Sequence, residues 1–197
     1  EYLEEDKMRK LIIVTGGGTP ARKYQEAYKA IAKEPDSSLL DEIGIAATRI
    51  NAALLRAACK EYCSDDVVTD PTADIAISNR ILVAAGWKPG FSSDTDAVYL
   101  ARRFKAKKVI NLSNIAKVYT DDPKIDPTAT PIDSITWEKF RLMVGDTWTP
   151  GKNVPFDPIA SKEAQKLGLQ VICADGRNIE NTLAILRNED FEGTLIY

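Results

Sequence analysis

Along the chain, short apolar runs alternate with longer stretches in which apolar positions recur at helical spacing. Runs over 11–14, 67–69, 81–85, 109–112, 169–173 and 194–197 are rich in Val, Ile and Leu and too short for helices, so they are the candidate strands. Helical patterns lie near 21–33, 39–62, 94–104, 137–143, 158–167 and 179–187. Strands that alternate with helices imply an α/β fold with a mostly parallel sheet covered on both faces. Ligands of such sheets bind beyond the carboxyl ends of the strands, so the turns that follow strands are the places to search for function.

The first of these turns is the most distinctive. Leu11 to Val14 runs into Thr15 and three glycines, Gly16, Gly17 and Gly18, before a helical pattern that carries Arg22. A turn without side chains lets backbone N–H groups approach a ligand, and the helix that follows turns its positive dipole end to the same place. Arg22 adds a forked donor suited to a phosphate or a planar base. The bland alternative is an ordinary tight turn.

A second strand-to-helix turn, GWKPGFSSDTDAV, spans 86–98. Ser93 or Asp94 is expected to cap the helix, and Ser92, Ser93 and Thr95 offer donors to a phosphate. Asp96 reads as a carboxylate that complements the helix dipole. The stretch 111–129 leaves a strand and carries Tyr119, Asp122 and Pro123, a setting for a purine base and ribose or simply a loop. In 147–169, a loop leads into a helix with Asp157 at the cap and Pro158 at the first helical position. Asp157 reads as an N-cap and Lys162 as surface charge when each is taken alone.

Composition narrows the field. At 197 residues, 44% hydrophobic and 28% charged, the chain can bury a full core and is neither disordered nor fibrous. No apolar run is long enough for a bilayer, and the first ten residues lack a signal-peptide pattern, so a cytoplasmic location is expected. A formal charge of −3 with interspersed signs gives no basic stripe and argues against nucleic acid. Histidine is absent, which removes imidazole-based triads and histidine zinc sites. Cys59, Cys63 and Cys173 form no CxxC pair and read as reduced thiols, with Cys59 and Cys63 placed on one helix.

Taken together, TGGGTPARKY, DEIGIAATRINAALL, PGFSSDTDAV, VYTDDPKIDPTA and FDPIASKEAQKLG, closing with GTLIY, resemble the uridylate (UMP) kinases of the amino-acid kinase superfamily, in their archaeal-type branch. The resemblance runs from Leu11 onward and implies a single amino-acid kinase domain over 1–197, built as a three-layer α/β/α sandwich. It implies transfer of the γ-phosphoryl of ATP to UMP with Mg2+, and a homo-oligomer, a hexamer made as a trimer of dimers. By position, Gly16, Gly17 and Arg22 match the glycine turn and the UMP-contacting arginine. Asp41 matches the acid that holds the uridine ribose, Gly44 and Thr48 the adjoining helix, and Phe91, Ser92, Ser93 and Asp94 the segment around the UMP phosphate. Ser113, Asn114, Tyr119, Asp122 and Pro123 match the ATP side, and Asp157 with Lys162 the helix start that faces the transferred phosphoryl. In-line transfer asks little covalent work of the protein, in keeping with a chain without histidine.

Two departures from the family pattern stand out. The family opens on a strand that carries a lysine and a Gly-Gly-Ser turn, and this sequence starts beyond that point; the expectation is that the segment precedes Glu1, the other possibility being a domain without that strand. In SNIAKVYTDDP, Ala116 and Lys117 stand where relatives have aspartate and glycine. Loss of the aspartate would slow catalysis or shift its role to Asp121 or Asp157, and Lys117 could itself contact phosphate. A catalytically impaired nucleotide-binding or storage-type relative of the same fold is therefore the competing expectation.

Overall fold

A computed structural model describes residues 1–147 and 154–197; the part of the expected 147–169 loop that falls at 148–153 lies outside the described residues. The chain divides into two compact units, Leu3–Leu100 and Ala101–Tyr197, and each is α/β.

In the first unit, β1 (Leu11–Val14) pairs in parallel with β2 (Ile81–Ala84), Leu11 opposite Ile81 through Val14 opposite Ala84. β2 is buried along its whole length, as a strand covered on both faces must be. Helices α1 (Gly18–Ile31) and α2 (Ser37–Ala58) follow β1 and pack against each other. Asp36 caps α2, its carboxylate accepting from the N–H groups of Ser38 and Leu39. α3 (Ser93–Arg103) starts after the 86–91 loop.

Two expectations change here. The run at 67–69 forms no strand: Val68 makes a single parallel bridge to Ala84. The helix expected to reach residue 62 ends at Ala58, because the Tyr62 carbonyl accepts the N–H groups of Arg80 and Ile81 at 3.1 and 2.8 Å and pulls the chain toward β2. Cys59 is the C-cap and Cys63 lies beyond the helix, so they do not share a helical face; both, with Cys173, are free thiols. Arg80 also gathers the amino-terminal segment. Its guanidinium donates to the carbonyls of Leu3, Asp6 and Arg9.

In the second unit, β3 (Lys108–Ser113) pairs in parallel with β7 (Gln170–Asp175). β7 continues through antiparallel β8 (Thr194–Ile196) to β6 (Ser134–Ile135), giving the order β3-β7-β8-β6. β4 (Val118–Tyr119) and β5 (Pro131–Ile132) make a separate antiparallel pair. These two-residue strands carry no periodicity that a sequence could show. Helices α4 (Trp137–Val144), α5 (Pro158–Lys166) and α6 (Ile179–Arg187) complete the unit. Its buried side chains include Phe140, Phe156, Val118, Val171, Ile185 and Ile196. The Trp137 indole stands edge-on to Phe140 and donates to the Leu169 carbonyl at 2.9 Å, so the one polar atom of that ring is satisfied within the core.

Phe140 is fully buried. Replacing it with alanine is expected to cost about 3–5 kcal/mol of unfolding free energy, to be read as a lower urea midpoint at unchanged slope.

Candidate active site

The glycine turn after β1 forms as the sequence suggests. Gly17 is the N-cap of α1 and makes no side-chain cap bond, so the first N–H groups of the helix are left for a ligand. A Cβ on Gly17 would lie 2.6 Å from the Ala21 Cβ, which makes glycine obligatory there. A Cβ on Gly16 would meet only the Ser93 hydroxyl, at 4.0 Å. The turn after β1 and the start of α3 therefore face each other, close enough that a Cβ on Gly16 would touch the Ser93 hydroxyl. Arg22 is exposed on the first turns of α1, one guanidinium nitrogen 3.3 Å from the Thr19 hydroxyl.

α2 holds both walls of this gap. The Asn51 amide donates to the Gly16 carbonyl at 2.7 Å, and the Thr15 hydroxyl donates to the Thr48 carbonyl at 2.9 Å. On the other wall, the Thr48 hydroxyl accepts the Gly86 N–H at 2.8 Å while donating to the Ile45 carbonyl. Arg49 donates to the Trp87 carbonyl at 3.1 Å, and Asp41 accepts the Gly90 N–H at 3.0 Å. Gly44 lies against Gln25 of α1, where a Cβ would come within 3.0 Å of the amide nitrogen. The sequence reading placed Asp41, Gly44 and Thr48 here but missed Arg49 and Asn51. The signal was present, since Thr48 and Asn51 are three apart and share a helical face.

At α3 the cap differs from expectation. Ser92, rather than Ser93 or Asp94, is the cap: its hydroxyl accepts the Thr95 N–H at 3.2 Å and its carbonyl the Asp96 N–H at 3.1 Å. With Ser92 occupied, the Ser93 hydroxyl is the one that faces Gly16. Phe91 packs on Trp87, ring centroids 4.7 Å apart, and the Lys88 ammonium sits 3.9 Å from the centre of the Trp87 ring. Asp94 is half-buried in the first turn.

Asp96 departs most from its sequence reading. It is 1% exposed, not a solvated dipole partner. One carboxyl oxygen accepts the Trp87 N–H at 3.2 Å, and the other has no hydrogen-bond partner among the described residues. Burial, with smaller contributions from the charges of Asp94 and Asp70, pushes its pKa up to about 7.

In the second unit, the expected ATP-side residues lie at and beyond the carboxyl end of β3. Ser113 ends β3 opposite Asp175 at the end of β7, and its carbonyl accepts the Gly176 N–H. The Asn114 carbonyl lies 3.5 Å from the Arg177 guanidinium. Arg177 grips Asp175 with two nitrogens and holds its carboxyl down at about 2. This pair was missed, although a strand ending in Asp-Gly-Arg is a strand-to-helix turn of the kind worth searching. Tyr119 is half-buried in β4, and Asp122 and Pro123 lie exposed in the turn that follows. The Asp122 carboxylate accepts the Lys124 N–H and its carbonyl those of Ile125 and Asp126.

Asp157 is the N-cap of α5, its carboxylate accepting the Ala160 N–H at 2.8 Å, and is 4% exposed. Lys162 is exposed on the same helix. Lys117 forms an ion pair with Asp133, which raises its pKa and engages the ammonium that the sequence reading offered to phosphate.

A cavity of about 310 Å3 in the first unit is lined by Asp65, Asp66, Asp70 and Asp74 among others, contains none of the expected nucleotide contacts and has the wrong charge for a phosphate. Among the described residues, no three carboxylate, thiol or imidazole groups converge to hold a metal, and no helix is long and apolar enough to cross a membrane.

The geometry is that of a glycine turn set opposite a helix start. The family model for the amino acid kinase family matches residues 2–175. The chain belongs to the amino acid kinase family. It is 35% identical over 189 residues to the uridylate kinase of Methanocorpusculum labreanum, covering 94% of this chain and 80% of that protein. The uridylate kinase of Methanospirillum hungatei is 33% identical over 190 residues, with 95% and 80% covered. Among solved structures, the uridylate kinase from Archaeoglobus fulgidus superposes with a TM-score of 0.81 at 30% identity, over 100% of this chain and 89% of that one. The UMP kinase from Bacillus anthracis, at 19% identity and a TM-score of 0.71, shares the fold.

The raised Asp96 pKa fixes a sign for stability. The folded chain keeps this proton to higher pH than the unfolded chain, so the stabilisation is present in acid and lost as pH rises through about 7. Asp96→Asn keeps an acceptor for the Trp87 N–H and removes the charge. At pH 8 it should be more stable than the wild type by on the order of a few kcal/mol, with the gap closing toward pH 4, as read from urea titrations across pH.

Proposed function

We propose that the protein transfers the γ-phosphoryl of ATP to UMP, giving UDP and ADP, and that the gap between the glycine turn and α3 receives the phosphate of UMP. The observation that carries this reading is the approach of Gly16 to the Ser93 hydroxyl, flanked by the open N-terminus of α1. A phosphate there meets backbone N–H groups and a hydroxyl, and Arg22 on α1 supplies the cation. Asp41 keeps its other oxygen for the ribose hydroxyls, with Gly44 and Thr48 lining that side, while Phe91, Ser92 and Asp94 frame the acceptor. The identity to uridylate kinases over most of the chain supports UMP as the acceptor.

On the ATP side, Ser113, Asn114, Tyr119, Asp122 and Pro123 take the nucleotide. Asp157 and Lys162 attend the transferred group, Asp157 by orienting the first turn of α5. Mg2+ enters with ATP, held chiefly by phosphate oxygens and water; a cation that needs only one or two protein carboxylates is compatible with the absence of a protein cage among the described residues. Catalysis is then positioning and charge neutralisation, with the acceptor phosphate as nucleophile and no histidine needed.

The chain works as one amino-acid kinase domain, in the cytoplasm and as a homo-oligomer. Support for self-association comes from α2, where Ile50 and Leu54 are 66% and 72% exposed one turn apart, with Ala46, Ala53 and Ala57 beside them. A hexamer built from dimers joined on that stripe is the assembly expected.

The deciding experiment is UDP formation from UMP and Mg-ATP. Arg22→Ala should raise the KM for UMP by about 10- to 100-fold, the loss of a charged hydrogen bond, and leave the KM for ATP within about twofold. An equal effect on both would remove Arg22 from the acceptor site, and absence of UMP-dependent ADP from the full-length protein would refute the activity.

A further inference from the structure

We propose that binding of the acceptor phosphate takes up a proton at Asp96, the buried carboxyl that ties the 86–91 loop to the start of α3. The inference rests on the reading that UMP places its phosphate between Gly16 and Ser93. Asp96 lies in the first turn of α3, its N–H on the Ser92 carbonyl, so it stands within one helical turn of Ser93. One turn is about 5 Å of rise, well inside the screening length of about 8 Å in physiological salt. Among the described residues the carboxyl is buried, and only one of its oxygens is bonded, to the Trp87 N–H.

The charged groups acting on Asp96 are carboxylates, Asp94 on its own helix and Asp70 on the connection that leads to β2. The cations that touch the loop are engaged: Lys88 lies over the Trp87 and Phe91 rings, and Arg49 of α2 is bonded to the Gly86 and Trp87 carbonyls. A phosphate dianion set down at Ser93 adds further negative charge to this neighbourhood. The least costly response of a buried, half-bonded carboxyl is to bind a proton, because the neutral acid still accepts the Trp87 N–H through its carbonyl oxygen. Proton and acceptor then bind with positive coupling, and each raises affinity for the other. Asp96 is a positioning residue: it touches the loop, and its charge is what the phosphate senses.

The test is calorimetry of UMP binding at pH 7 in buffers of different ionisation enthalpy, with the full chain as wild type and Asp96→Asn, and with uridine as the phosphate-free probe. The wild type should take up as much as about half a proton more per UMP than Asp96→Asn, since a group titrating near 7 is half ionised there. Titration of the UMP phosphate itself is common to both proteins and cancels. Uridine should give the two proteins the same count. The KM for UMP of the wild type should also climb several-fold relative to the variant as pH rises from about 6 to 8.5. Equal proton counts with UMP, or an excess in the wild type that uridine reproduces, would overturn the proposal. If UMP fails to bind at all, the acceptor-site reading falls, which separates the two failures. Should Asp96→Asn not fold, carbon-13 spectra of the wild-type aspartates decide: the carboxyl titrating near neutrality should move to higher pH with saturating UMP, and an unmoved midpoint overturns the inference.

Discussion

The Thr48 side chain is the constraint on which the arrangement of the two strand-to-helix turns depends. Its hydroxyl donates to the Ile45 carbonyl and accepts the Gly86 N–H in a buried setting, so it joins the middle of α2 to the first residue after β2. A hydrogen bond of this kind contributes only about 1 kcal/mol net, yet leaving the buried Gly86 N–H without a partner costs about 1–3 kcal/mol. The bond is therefore kept by the penalty of losing it. Thr15, bonded to the Thr48 carbonyl, and Asn51, bonded to Gly16, extend the same logic to the turn after β1. Two strand-to-helix turns that are distant in sequence are thus referred to one rigid helix.

Against this satisfied network stands one carboxyl that is not. Asp96 spends stability to sit in an apolar position, and the Trp87 N–H offsets only part of that. A core evolved for stability alone would place an apolar side chain there. Its location, between the loop that α2 holds and the helix start that faces the glycine turn, is where a charge has most influence on an anion. A local conflict of this sort within an otherwise consistent fold is the usual sign of a functional position.

How legible the molecule was in its sequence follows from the range of each interaction. β1, β2, β3, β7 and the cores of the six helices were visible because burial writes a period into the sequence. The run at 67–69 is no strand because only Val68 meets β2, in one parallel bridge to Ala84, a tertiary fact. The short strands β4, β5 and β6 are too brief to carry a pattern. At the site, Gly16, Gly17, Asp41 and Ser93 were readable from turn chemistry and from ordered resemblance. Arg49 and Asn51 went unread because their partners are backbone carbonyls on other elements, which no sequence displays. Asp96 was misread for a related reason: its position in a first turn suggested a solvated carboxylate, and only the packing of Trp87, Phe91 and Tyr99 about the loop shows the site to be closed.

The spacing of the α2 contacts has a consequence for how this chain can change length. Asp41, Thr48 and Asn51 lie on one side of the helix because seven and three residues are near whole turns. One residue inserted between Asp41 and Asn51 would turn everything beyond it by about 100°, and the glycine turn and the 86–91 loop would lose their common support together. The connection from 59 to 80 bears no such phase relation and can lengthen or shorten as long as Tyr62 and Val68 still reach β2. Insertions and deletions should therefore gather in that connection, while α2 admits substitution but keeps its residue count.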